Sequence, residues 1–226
     1  NPLLVEGQVQ GGIAQGLGMA LMEEYIPGRT ENLHDYLIPT IGDVPPIETI
    51  LIDRDQESAD KGKAHVEELL KKRLSRGQLS QDKYDALLAS VTATTDYDLI
   101  KGSDLVIEAV FENREIKADV TKRAEARLEP GAIFGSNPST LPITGLAEAS
   151  VRPEDFIGIH FFSPVEKMLL VEIIMAKKTG KKALAMALDF VRAIRKTPIV
   201  VNDVRGFYAN RCVGNYIREG HLMLME

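Results

Sequence analysis

The sequence predicts an α/β protein with a doubly wound parallel sheet, and three observations predict it. From residue 49 onward, short β-branched or apolar runs alternate with segments of helix length, the pattern of strands joined by helices that cover the sheet faces. Stop signals fall where this alternation needs them, with Gly77 and Pro130 closing helical stretches. The 226 residues are 44% hydrophobic and 27% charged, enough apolar material for one large or two small cores and unlike a disordered or fibrous chain.

Each element has its own signal. Thr49 to Ile52 is a β-branched strand leading into Asp53, and residues 57–76 read as a helix with Ala64, Leu69, Leu70 and Leu74 as apolar positions. Ser80 is a good N-cap for a second helix reaching Ala89. Residues 104–110 form a buried strand, 114–128 a helix stopped by Pro130, and 132–134 another strand. A short helix over 144–149, strands over 156–160 and 170–174, a helix over 181–195, a strand over 199–201 and a helix from 206 onward complete the series. Ligands of such a sheet belong at the carboxyl ends of its strands.

The first fifty residues differ in kind. They hold seven acids against one base, Arg29, and so carry the whole net charge of −6, while the remainder is balanced. Gly11 to Tyr25 is a glycine-rich stretch running into a helix, with Ile13, Leu17, Ala20 and Leu21 near one stripe that could dock against the sheet. Pro27, Pro39, Pro45 and Pro46 then forbid regular structure up to the first strand. Gly12, Gly16 and Gly18 do not form Gly-x-Gly-x-x-Gly, and Asp53 lies 35 residues beyond Gly18 rather than about 20. Close packing of the helix explains these glycines better than a pyrophosphate cradle.

Several functions are disfavoured. The single cysteine, Cys212, allows neither an internal disulfide nor a multi-cysteine zinc site, and no metal site is expected. No apolar run approaches a membrane span, and residues 1–6 lack the charged and apolar regions expected of a signal peptide. A cytoplasmic location follows as the expectation. Basic residues form only short clusters such as Lys177-Lys178 and Lys181-Lys182 and no long block, so no nucleic-acid footprint is expected.

The strongest chemical constellation is His160, at the end of a strand, with Glu172 inside the next apolar run. A carboxylate there is costly unless paired. Bonded to one imidazole nitrogen, it would fix the tautomer and leave the other nitrogen free to take a proton. Two residues satisfying each other in a core is an equally open reading of the bare pair.

The segments 51–56 (LIDRDQ), 104–113 (DLVIEAVFEN), 136–149 (SNPSTLPITGLAEA), 158–168 (GIHFFSPVEKM), 170–174 (LVEII) and 198–207 (PIVVNDVRGF) occur in an order that resembles the NAD-dependent 3-hydroxyacyl-CoA dehydrogenases. The similarity is greatest to the dehydrogenase part of the multifunctional fatty-acid oxidation enzymes. It implies a Rossmann-like domain over 51–203 that binds NAD and an acyl-CoA substrate, in a family usually dimeric or part of a multienzyme complex. By position, His160 would be the base, Glu172 its orienting carboxylate, Ser139 the group that hydrogen-bonds the substrate oxygen, and Asn210 the residue that completes the polar site. Asp53 would accept from the adenosine ribose hydroxyls and disfavour NADP, with Glu112 and Lys117 along the nicotinamide half. An N-cap is the alternative role for Asp53. Pro138 stands where the family usually has threonine, and Ser163 where some members have asparagine.

Residues 5–24 (VEGQVQGGIAQGLGMALMEE) and 35–52 (DYLIPTIGDVPPIETILI) instead resemble a piece of the molybdenum-binding subunit of xanthine dehydrogenase and aldehyde oxidase. The combined expectation is an incomplete doubly wound sheet, an atypical segment over 1–50, and the first helix of a truncated α-helical domain over 204–226. Dehydrogenase activity would then be impaired. The alternatives are a molybdenum hydroxylase fragment or a non-enzymatic fusion product.

Overall fold

The computed structural model describes residues 47–225. The expected helix over 13–25 and most of the segment 1–50 lie outside the described residues. The chain divides into two compact units, one ending at Thr95 and one beginning at Asp96.

In the first unit, strand β1 (Thr49–Ile52) pairs in parallel with β2 (Val91–Thr94), and helices α1 (Gln56–Ser75) and α2 (Gln81–Ala89) connect them. The caps follow local chemistry: the Asp55 carboxylate accepts from Ser58 N, and the Ser80 hydroxyl from Lys83 N. That bond, with help from Arg54, holds the Asp55 carboxyl below its usual range. Gly62 lets α1 close on β1, since a Cβ there would lie 2.6 Å from Leu51 Cδ2. Strand β2, a four-residue β-branched run, was not expected from the sequence.

The second unit holds a five-stranded sheet in the order β3 (Leu105–Glu108), β4 (Ile133–Ser136), β5 (Phe156–Phe161), β6 (Leu170–Ile174), β7 (Thr197–Val201). Helix α3 (Arg114–Glu125) joins β3 to β4, and the short α4 (Ile143–Leu146) leads towards β5. Helix α5 (Lys181–Ala193) joins β6 to β7, and α6 (Ala209–Met225) follows β7. Strands β3, β4 and β5 are parallel as expected, but β6 runs antiparallel to β5, and β7 follows β6. The reason is length: residues 162–169 are too few for the crossover of a dozen or more residues that a parallel pair needs.

Ala183, Ala187 and Val191, each four residues from the next, form a stripe on α5. They pack with Ile133, Ile157, Ile159, Val171 and Ile173 in a core whose members are all 0% exposed. Burying that apolar surface supplies the main driving force, at about 25 cal/mol per Å². Phe134 stacks on Phe156 with ring centroids 5.4 Å apart. By contrast, α6 has no buried side chain, and Val213, Tyr216 and Ile217 are exposed. Among the described residues, no helix is long and apolar enough to cross a membrane.

Helix α4 comes so close to β5 that only glycine fits between them. A Cβ on Gly158 would lie 2.6 Å from Ile143 Cγ1 and 2.9 Å from Ile174 Cβ. Gly158→Ala should therefore cost about 1–3 kcal/mol through overpacking, read as a lower urea midpoint for the full chain at unchanged slope.

Candidate active site

Antiparallel pairing places His160 directly opposite Glu172. His160 Nδ1 lies 2.8 Å from Glu172 Oε2, with the residues 4% and 0% exposed. A carboxylate only accepts, so the proton is assigned to Nδ1, which leaves Nε2 without a partner among the described residues. Phe162 and Phe207 flank the imidazole, with ring centroids 4.4 and 5.5 Å away.

The second oxygen of Glu172 is also used. Oε1 accepts from the backbone N–H groups of Tyr208 at 2.9 Å and Ala209 at 2.8 Å, at the start of α6. The chain reaches that position through two residues of positive φ, Gly206 at 74° and Phe207 at 48°. Glycine adopts this conformation freely, but phenylalanine is strained there. Burial of its ring, 1% exposed, against His160 offsets the strain.

Ser139 is exposed, on a loop tied down from two sides. On one side, Glu112 Oε1 accepts from the amides of Ser139 at 2.9 Å, Thr140 at 2.8 Å and Leu141 at 3.2 Å. On the other, Asn210 Nδ2 donates to Ser139 O at 2.8 Å, and Gly206 N donates to Thr140 O. His160, Glu172, Ser139, Asn210 and Glu112 thus belong to one bonded assembly. Pro138, buried just before the loop, leaves the amide series to begin at Ser139.

Lys117 sits in a different environment. Its side chain is 2% exposed, and Nζ donates to both oxygens of Glu108 at 3.0 Å and to Val110 O at 3.3 Å. Glu108 also accepts from Ser136 Oγ and from Val110 N. Lys117 therefore bonds to the Glu108–Val110 turn, next to the residue pair that leads into Glu112. Asp53, in the first unit, ends β1 with its carboxylate exposed and accepting from Arg54 N. The cap of α1 is Asp55.

Sequence reasoning passed over Glu108, Asp203 and Phe207. Glu108 had a usable signal, a carboxylate within the apolar run 105–110, the same signal that singled out Glu172. Nothing near Asp203 in sequence reveals that Ile143 N and Thr144 N donate to its two oxygens, 60 and 59 residues away.

The family of 3-hydroxyacyl-CoA dehydrogenase NAD-binding domains matches residues 45–204, and a molybdopterin cofactor-binding domain matches residues 1–45. The fatty acid oxidation complex subunit alpha of Shewanella baltica is 42% identical over 174 residues, which is 77% of this chain and 25% of that protein. The chain thus spans about a quarter of the length of the curated relatives it matches. The crystal structure of (S)-3-hydroxybutyryl-CoA dehydrogenase from Ralstonia eutropha superimposes with a TM-score of 0.74 at 32% identity, covering 76% of this chain and 61% of that one. The dehydrogenase part of multifunctional enzyme 1 from C. elegans gives 0.60 at 28%, covering 68% and 35%.

The Lys117–Glu108 pair makes a stability prediction. Lys117→Met leaves Glu108 buried without a counter-charge and should cost about 3–5 kcal/mol in chemical unfolding. Adding Glu108→Gln should restore part of that loss.

Proposed function

The chain belongs to the 3-hydroxyacyl-CoA dehydrogenase family through its NAD-binding domain, and on that premise we propose that it oxidises the 3-hydroxyl of an L-3-hydroxyacyl-CoA to the 3-oxo group in fatty-acid oxidation. The observation that carries this reading is the buried His160–Glu172 contact at 2.8 Å, with the second carboxylate oxygen occupied by two backbone amides. His160 Nε2 takes the proton from the 3-hydroxyl. Glu172 holds the ring in the Nδ1–H tautomer and stabilises the imidazolium that results. Ser139 hydrogen-bonds the substrate oxygen and Asn210 completes the polar site, on a loop and a helix start that are bonded to each other.

NAD, when bound, supplies the hydride acceptor. Asp53 fits the ribose, because its carboxylate is exposed at the carboxyl end of a parallel strand and is not the helix cap. Glu112 and Lys117 serve the nicotinamide half, Lys117 by fixing the turn that carries Glu112. The same reading divides the chain into a molybdenum hydroxylase-like segment over 1–50, the NAD-binding domain over 51–203 and the start of a helical domain from 204.

The segment before β1 has no Gly-x-Gly-x-x-Gly, so affinity for NAD is reduced. Two or three charge-assisted bonds to the pyrophosphate are worth about 3–9 kcal/mol together, or about two to six decades in affinity. Calorimetry should give a millimolar or weaker dissociation constant, and a micromolar value overturns the impairment.

At saturating NADH, the chain should still reduce acetoacetyl-CoA, and absence of turnover sinks the dehydrogenase reading. Glu172→Gln should lower kcat about 10²–10⁴-fold. Its amide can accept from Tyr208 and Ala209 only by turning its NH₂ towards Nδ1, which drives the ring proton to Nε2.

A further inference from the structure

The segment between β7 and α6 runs against the Ser139 loop in the opposite direction, and four hydrogen bonds join them. Asn210 Nδ2 meets Ser139 O at 2.8 Å and Gly206 N meets Thr140 O at 3.2 Å. Asp203 Oδ1 meets Ile143 N at 2.7 Å and Oδ2 meets Thr144 N at 2.8 Å. Only the last two use a charged acceptor, and charge-assisted bonds are roughly twice as strong as neutral ones.

Local sequence explains why the acceptor must come from so far away. Helix α4 begins after Pro142, whose side chain makes no cap bond. Its first amides need acceptors, as at every helix start. Asp203 supplies both from 60 and 59 residues downstream. The same loop is held at its other end by Glu112, so its conformation between residues 139 and 144 is set by two carboxylates that are not part of it.

We propose that Asp203 is a positioning residue: its two bonds to the start of α4 fix the Ser139 loop against the segment that delivers Asn210, and so set where Ser139 meets the substrate oxygen. The proposal rests on the dehydrogenase reading for its kinetic consequence, but not for its structural one. Asp203 bonds to Ile143 N and Thr144 N rather than to His160 or Glu172, and acts only through the loop.

The test is Asp203→Asn in the full chain. The amide keeps one acceptor oxygen and turns a donor towards the other backbone N–H, with little change in volume. Hydrogen exchange read by mass spectrometry should accelerate about tenfold over residues 139–144, while the β5 and β6 amides keep their wild-type rates. In reduction of acetoacetyl-CoA at saturating NADH, kcat should fall about 10²-fold, with KM for the acyl substrate within about threefold of wild type.

Unchanged exchange over 139–144, or unchanged kcat in an active enzyme, overturns the proposal. Exchange that accelerates equally in β5 and β6 also overturns it, because the residue is then a general stabiliser. If Asp203→Asn does not fold, Asp203→Ser, which keeps one hydroxyl acceptor, is read by the same criteria. A wild-type chain without turnover defeats the dehydrogenase reading alone, and the exchange pattern then decides the role of Asp203 on its own.

Discussion

Glu172 is 0% exposed in the middle of a β-strand, and a carboxylate can stay there only because both of its oxygens are bonded. One holds the His160 ring, and the other holds the first amides of α6. The two tasks constrain each other. The helix start that satisfies Oε1 also brings Asn210 to Ser139 and places Phe207 against the imidazole. The positive φ of Phe207 is the backbone adjustment that makes this approach possible, a strain of about 1–3 kcal/mol held in place by burial and by the two amide bonds.

The same device recurs through the second unit. Carboxylates on one element accept backbone N–H groups from a loop elsewhere: Glu112 from 139–141, Asp203 from 143–144, and Glu125 from Val151 together with the Ser150 hydroxyl. Loops on the edge of an α/β sheet are ordinarily its most adaptable parts. Here each is fixed by a carboxylate that accepts its backbone N–H groups. The Glu108–Lys117 pair does for the β3 turn what the others do for their loops, but its charges are taken fully out of water, so its integrity depends on both partners being present.

Much of this was legible from residues alone, and the failures have physical causes. Glu172 and His160 stood out because a charge in an apolar strand needs a partner, and their contact is observed. Helix limits agreed to within a few residues wherever a cap or stop was present, as at Ser80 and Gly77. The direction of β6 was missed because periodicity carries no information about strand orientation. The eight-residue connection did carry it. The role of Lys117 as a buried counter-ion was invisible because its partner is nine residues away on another element. Asp203 was beyond reach for the same reason at greater distance: its two bonds exist only after the sheet between them has formed.

That distance has a consequence for how the protein comes into being. The bonds from Asp203 and Asn210 to the Ser139 loop and α4 span 59 to 71 residues of sequence, whereas the parallel pair β1 and β2 is closed by the helices directly between its strands. During synthesis, the strand with His160 and its core neighbours leave the ribosome well before residues 203–210. A nascent chain can therefore bury Ile133, Ile157 and Ile159 while Glu172 Oε1 still lacks its two amides and the Ser139 loop still lacks its clasp. Long-range contacts are the slow ones in folding, so the complete site should form last, after compactness. In an unfinished copy the Ser139 loop lacks the bonds to Asp203 and Asn210 that it has in the finished fold.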